Sequence, residues 1–251
     1  GRFQTMRCFV PNESWSEQSV VLSPGESHYV LNVHRAKAGQ CVTLFDGAGR
    51  IAEGEIEDAS RHKVRVRVLS VNSKSMARPF LWLGQALTKG QKMDLVIQKA
   101  TELGVSKIIP LTTDRAVVKV DGIRAERKVN HWRAVALNAV RQCEAAWQPE
   151  VADVRSLNDF LDSSHRTTFV IYGSFNDDAK PLPDLFQRCR DAAVETVAIL
   201  IGPEGGFTER EAETLKRSGA YPADFGDTVL RAETAALYAA SSFRYAFHNQ
   251  K

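Results

Sequence analysis

The sequence predicts an α/β fold, a mostly parallel sheet covered by helices, preceded by a small all-β unit. Three observations carry this. After about residue 76, short apolar runs alternate with stretches of helical periodicity, the pattern of strands joined by crossover helices. Before it, apolar residues recur at spacing two between turn residues. Near the C-terminal end, two glycine-rich corners each join an apolar run to a helix start, the place where parallel sheets bind ligands. The expected domains are 6–75 and 76–251.

Val20 to Leu22 is a strand, and Ser23-Pro24-Gly25-Glu26 turns into a short helix running through His28 and Val33. Cys41 to Phe45 alternates and ends in the turn Asp46-Gly47-Ala48-Gly49. Ile51 to Ile56 and Lys63 to Val71 form a hairpin pair. Strands this short need closure to protect their edges, so a barrel is expected. Period two places Arg61, Lys63, Arg65 and Arg67 on one strand face and Val64, Val66 and Val68 on the other. The basic face is either a solvated edge or a stripe for phosphates.

Ser73 to Pro79 reads as a linker. Phe80 to Ala86 is a strand, and a helix follows over Gln91 to Leu103, with Met93, Val96, Ile97, Ala100 and Leu103 on one face and Gly104 closing it. Lys107 to Leu111 is a strand. A long helix over Ile123 to Ala146 buries Val129, Trp132, Val135, Ala136, Ala139, Val140 and Cys143. Val151 to Val154 is a short strand, Leu157 to Leu161 a helical turn, Thr168 to Tyr172 a buried strand and Pro183 to Ala192 a helix.

The first corner runs from the strand Val197 to Ile201 into Gly202-Pro203-Glu204-Gly205-Gly206-Phe207-Thr208. Its glycines supply positive φ and close backbone approach. Thr208 and Glu211 form a capping box, so a helix spans about Glu209 to Ser218, with Gly219 after it. The second corner is Phe225-Gly226-Asp227-Thr228-Val229-Leu230-Arg231, feeding a helix from Ala232 to Phe247. One such corner is ordinary architecture; two, with Arg231 and Glu233 at a helix start, point to a site. Tyr172-Gly173-Ser174, Gly202 to Gly206 and Phe225 to Leu230 are the expected rim of one pocket.

Composition sets the bounds. The 251 residues suffice for a large core, and the formal charge of +3 permits a nucleic-acid partner without demanding one. The four cysteines are far apart, and the six histidines show no metal-ligand spacing, so neither disulfides nor metal are expected and the cytoplasm is the natural compartment. No apolar run approaches the roughly 20 residues that span a bilayer. There is no G-x-G-x-x-G after a strand and no phosphate-binding G-x-x-x-x-G-K-[ST]. Gly1 to Thr5 are set aside as a cloning remnant, and the fold is read from Met6.

The two corners, GPEGGFTERE and then G-x-x-x-LR-x-ETA, resemble the SPOUT methyltransferases, and within them the branch that methylates N3 of a uridine in small-subunit (16S) ribosomal RNA. The resemblance covers Met6 to Phe247. It implies a deep trefoil knot at the C-terminal end of the sheet, S-adenosylmethionine bound in that knot, a homodimer, and a PUA-like RNA-binding barrel over 6–75. His28, Arg35, Gly39 and the Phe45 to Gly49 turn match that barrel's pattern. The implied partner is small-subunit ribosomal RNA or the assembled 30S subunit. Cofactor-binding candidates are Tyr172, Gly173, Ile201, Gly202, Pro203, Glu204, Gly205, Gly206, Phe225, Gly226, Leu230, Glu233, Thr234 and Ala235. RNA-binding candidates are Arg7, Arg35, Arg65 and Arg67. One departure stands out: relatives carry Arg where this chain has Ala145, although Gln142 and Pro149 match.

The implied chemistry constrains the residues. The imide N3 of uridine has no free lone pair until it loses its proton, so the enzyme must stabilise a developing anion. A guanidinium offers fixed donors and permanent charge for this. Arg231 is the first candidate and Arg7 the second; no general base is assigned. Glu204 and Glu233 suit a ribose hydroxyl or the sulfonium, or simply a helix cap. The rivals are a SPOUT enzyme acting elsewhere on RNA, such as a ribose 2′-OH, and a non-catalytic RNA-binding protein.

Overall fold

The computed structural model describes residues 6–16, 18–60, 63–116, 122–163 and 168–248. Arg61 of the basic face and the segment Gly1 to Thr5 lie outside the described residues. Contacts divide the chain into two units, 1–76 with 140–148, and 77–139 with 149–251.

The first unit contains β1 (Met6–Phe9), β2 (Ser19–Val21), α1 (Pro24–His28), β3 (Cys41–Phe45), β4 (Arg50–Ser60) and β5 (Lys63–Ser73). Ser23 caps α1 by accepting from the Glu26 amide, and a π-helical turn, Tyr29–Val33, continues it. The sheet order is β1-β3-β4-β5-β2, with β1 and β3 parallel and the other pairs antiparallel. The expected hairpin is present as β4 and β5, both longer than the apolar alternation suggested. Val64 and Val66 are buried, Val68 packs at the edge of the same core, and Lys63, Arg65 and Arg67 are exposed. The alternation therefore resolves as period two requires.

The segment 140–148 belongs with this unit through specific bonds. The Gly49 amide donates to the Ala146 carbonyl (3.0 Å), the Gln148 amide to Gly47 (2.8 Å), and the Trp147 indole to Lys74 (2.8 Å). Arg141 pairs with the largely buried Glu26. Burial pushes the Glu26 carboxyl above its usual range, and Arg141 opposes that.

The second unit holds β6 (Phe80–Ala86), α2 (Lys92–Glu102), β7 (Lys107–Thr112), α3 (Gly122–Cys143, up to Ala139), β8 (Glu150–Val151), β9 (Arg155–Ser156), α4 (Leu157–Ser163), β10 (Thr168–Gly173), β11 (Lys180–Pro181), α5 (Leu182–Asp191), β12 (Thr196–Ile201), α6 (Glu209–Arg217), β13 (Tyr221–Asp224) and α7 (Ala232–His248). The strands form one parallel sheet in the order β11-β13-β10-β12-β6-β7-β8, with β9 also on β7. Every residue of β12 is buried, as an apolar run inside a two-sided sheet must be. On α2 the predicted face is buried through Met93, Val96, Ile97 and Ala100, and on α3 through Val129, Trp132, Ala136 and Ala139. α7 packs the same core through Ala236, Ala239, Ala240 and Phe243. No described helix is long and apolar enough to cross a membrane.

Candidate active site

Three neighbouring strands, β13, β10 and β12, end at the same edge of the parallel sheet. After β10 the chain lays β11 to one side, crosses to add β12 on the other, and returns to place β13 between β10 and β11. Such a reversal opens a crevice at the carboxyl ends of the strands. A solvent-open cleft sits there, with about 520 Å³ of space between its walls when the open mouth is included. Its walls come from three turns, Gly173 to Phe175, Ile201 to Gly206, and Ala223 to Leu230, closed by Ala232 and Ala235 of α7.

Local chemistry shapes each wall. The Gly206 amide donates to the Pro203 carbonyl at 2.8 Å, closing a four-residue turn. Gly206 has φ +67°, and a Cβ on Gly202 would lie 3.0 Å from backbone atoms of Gly206 and Phe207. Both positions therefore need glycine. Arg115, from the loop after β7, donates to the Gly205 and Phe207 carbonyls and fastens this turn from outside. The capping box forms as predicted: Glu211 N–H donates to Thr208 Oγ1 (3.2 Å) and Thr208 N–H to Glu211 Oε2 (2.8 Å). Glu211 also accepts the Asp114 amide at 2.8 Å. The Arg210 guanidinium, hydrogen-bonded to Asp114, holds that carboxyl below its usual range.

Ten of the predicted cofactor residues line the cleft: Gly173, Ile201, Gly202, Pro203, Glu204, Gly206, Phe225, Gly226, Leu230 and Ala235. Four do not. Tyr172 is 1% exposed and packs edge-on against Phe207, its centroid 6.1 Å away, because alternation along β10 turns it from the cleft that Gly173 faces. Gly205 faces the Arg115 side chain. Thr234 is exposed on α7, and Glu233 points to Lys92 Nζ at 3.4 Å. The second corner differs in one respect: its strand is Tyr221–Asp224, and the Phe225 to Arg231 stretch is the turn itself.

Arg231 lies between Leu230 and Ala232, both in the wall. Its carbonyl starts α7 by accepting from Ala235 (2.8 Å). Its side chain is exposed and makes no hydrogen bond or ion pair with any described residue.

Arg7 is a correction. Expected to reach RNA, it is 7% exposed and donates to the carbonyls of Val140 (2.8 Å) and Ala145 (3.0 Å), with its guanidinium 4.5 Å above the Phe45 ring. Burial lowers its proton affinity, partly offset by Glu144 and Cys143. The end of α3 leaves carbonyls without intrahelical partners, and Arg7 satisfies that of Val140 together with Ala145 just beyond the helix. Arg35 is exposed with φ +51°, and Arg65 is exposed. Arg67 already pairs with Glu55 at 3.1 Å.

Sequence reasoning missed Phe175, Asp224, Lys92 and Arg115. Only Lys92 left a signal, a cation at a helix start where the dipole disfavours one.

The model of the RNA methyltransferase domain matches residues 77–244, and that of the RNA methyltransferase PUA domain matches 22–69. Ribosomal RNA small subunit methyltransferase E of Mycobacterium bovis is 32% identical over 219 residues, 87% of this chain and 83% of that protein. The protein of the same name from Bacillus subtilis is 30% identical over 223 residues, 88% and 87% of the two chains. The chain belongs to the ribosomal RNA small subunit methyltransferase E family. Among solved structures, a Legionella pneumophila methyltransferase in complex with S-adenosylmethionine superposes with a TM-score of 0.86 at 33% identity, over 96% of this chain and 98% of that one. The family member from Neisseria gonorrhoeae, also bound to S-adenosylmethionine, gives 0.85 at 28% identity, over 96% and 97%.

Proposed function

We propose that this chain transfers a methyl group from S-adenosylmethionine to N3 of a uridine in the 16S RNA of the small ribosomal subunit. The observation that carries this is the cleft at the carboxyl edge of β10, β12 and β13. Its lining suits the cofactor: Ile201, Pro203, Phe225 and Leu230 offer an apolar slot for a purine, and Gly202, where a Cβ would meet the Gly206 and Phe207 backbone, lets the turn close beside it. Glu204 and Asp224 supply carboxylate acceptors for ribose hydroxyls. The Legionella and Neisseria relatives, each described with S-adenosylmethionine, support the same assignment.

When bound, the cofactor supplies an electrophilic methyl group on a sulfonium. The protein must do the rest: orient the base, exclude water and stabilise the charge that develops as N3 loses its proton. Arg231 is suited to the last task, because it lies between two residues of the cleft wall and its exposed side chain is uncommitted to other described residues. Exposed Arg35 and Arg65 suit phosphate contacts in the first unit. A two-fold homodimer, the trefoil knot and a cytoplasmic location belong to the same reading.

The test is methyl transfer from labelled S-adenosylmethionine to small-subunit RNA or 30S subunits, followed by digestion to nucleosides. The reading predicts label in 3-methyluridine. Label in a ribose-methylated nucleoside, or none, contradicts it.

A further inference from the structure

Lys92 opens α2, at the end of a helix that disfavours cations. Its ammonium reaches carboxylates from both glycine corners, Glu204 Oε1 at 2.8 Å and Glu233 Oε2 at 3.4 Å. Glu204 stands in the wall of the cleft. Glu233, its side chain 14% exposed, keeps Oε2 buried, and the long contact to Lys92 leaves that oxygen without a well-formed hydrogen bond. Two carboxylates thus share one ammonium, and the cluster carries one net negative charge beside a largely apolar cleft. Lys89, exposed on the preceding turn, adds a weaker positive contribution at Glu204. The hydrogen bond from Lys92 holds the Glu204 carboxyl below its usual range, so Glu204 is ionised and a poor proton acceptor. Besides accepting hydrogen bonds, it therefore contributes a fixed negative charge.

The methyl donor and its product differ little in shape but by one full charge: the donor is a sulfonium, the product a neutral thioether. A fixed negative charge distinguishes them where packing barely can. We infer that Lys92 is a positioning residue that fixes Glu204 and Glu233 as a singly negative clamp, and that this clamp biases the cleft towards the cationic donor over its neutral product. This rests on the methyl-donor reading above and assigns a selectivity to that same site.

The test is calorimetric titration of S-adenosylmethionine and S-adenosylhomocysteine into the full chain, wild type and variants, with melting temperatures recorded alongside. The readout is the ratio of the two affinities. Glu204→Gln removes a negative charge and should lower the preference for the cation about threefold, the scale of one partly exposed charge interaction. Lys92→Met should raise it by about the same factor. The double variant Lys92→Met/Glu204→Gln restores the net charge and should return the ratio to the wild-type value. If Lys92→Met alone fails to fold, Glu204→Gln and the double variant still decide. A ratio unchanged across the series, or equal weakening of both ligands, overturns the inference and leaves Lys92 a structural tie. A wild-type chain that binds neither ligand overturns the methyl-donor reading itself.

Discussion

Arg7 in the first unit and Arg231 in the second are used in opposite ways. In the first unit Arg7 is buried on the carbonyls of Val140 and Ala145, Arg141 is paired with Glu26, and Arg67 with Glu55. In the second, Arg231 at the carboxyl edge of the parallel sheet is exposed and makes no bond to a described residue. An arginine that completes the fold is satisfied by the fold; one kept for a substrate is not. Residue type alone does not separate these roles. Position does: Arg7 lies against the end of α3, whereas Arg231 lies where parallel strands bring their carboxyl ends together.

The contrast is sharpened most by Arg231→Ala. Losing one preorganised charged donor costs about 2.7–4 kcal/mol in the chemical step, roughly 10²–10³ in rate. Single-turnover methylation should show that loss while cofactor affinity and melting temperature stay put. Arg231→Lys should rescue poorly, since an ammonium lacks the planar fork. A parallel fall of rate, affinity and stability would move Arg231 into the structural class with Arg7.

Arg7→Ala should do the reverse. It strips two carbonyls of their donor and empties the space over Phe45, a loss of about 2–3 kcal/mol in unfolding free energy. Denaturant melts should show this, with cofactor affinity unchanged. Smaller again is Thr208→Ala, which removes the capping box of α6 and should cost about 1 kcal/mol. A melting temperature unmoved by that change would show the α6 start to be held by Asp114 and Arg210 instead.

The smallest effect belongs to the basic face of β5. Arg65→Ala should reduce the log–log salt slope of RNA binding by about 0.7–0.9. Arg67→Ala should reduce it less, because Glu55 already neutralises that guanidinium. Equal slopes in wild type and both variants would make the face a solvated edge.

Much of this was legible in the sequence because it is local. Period two separated Val64 and Val66 from Arg65 and Arg67, and the Thr208–Glu211 spacing announced α6. The glycine turns marked ten residues of the cleft wall. What escaped is tertiary. The Arg7 partners lie 133 and 138 residues away in sequence, and no local pattern encodes which carbonyls a helix end will expose. Arg115 reaches Gly205 across 90 residues. Tyr172 was misplaced by one step of alternation, which decides the face a strand residue occupies and is invisible where a strand is buried on both sides. The grouping of 140–148 with the first unit follows from Trp147, Arg141 and the Gly47 to Gly49 turn, none of which announces a partner.

A crystal structure of the chain grown with S-adenosylmethionine tests most directly whether the cofactor binds in the cleft between β10, β12 and β13. Density for the cofactor against Gly202, Phe225 and Leu230, with the Arg231 guanidinium left free beside it, is the result predicted. Cofactor seated elsewhere, or Arg231 turned inward to hold the turns together, would contradict it.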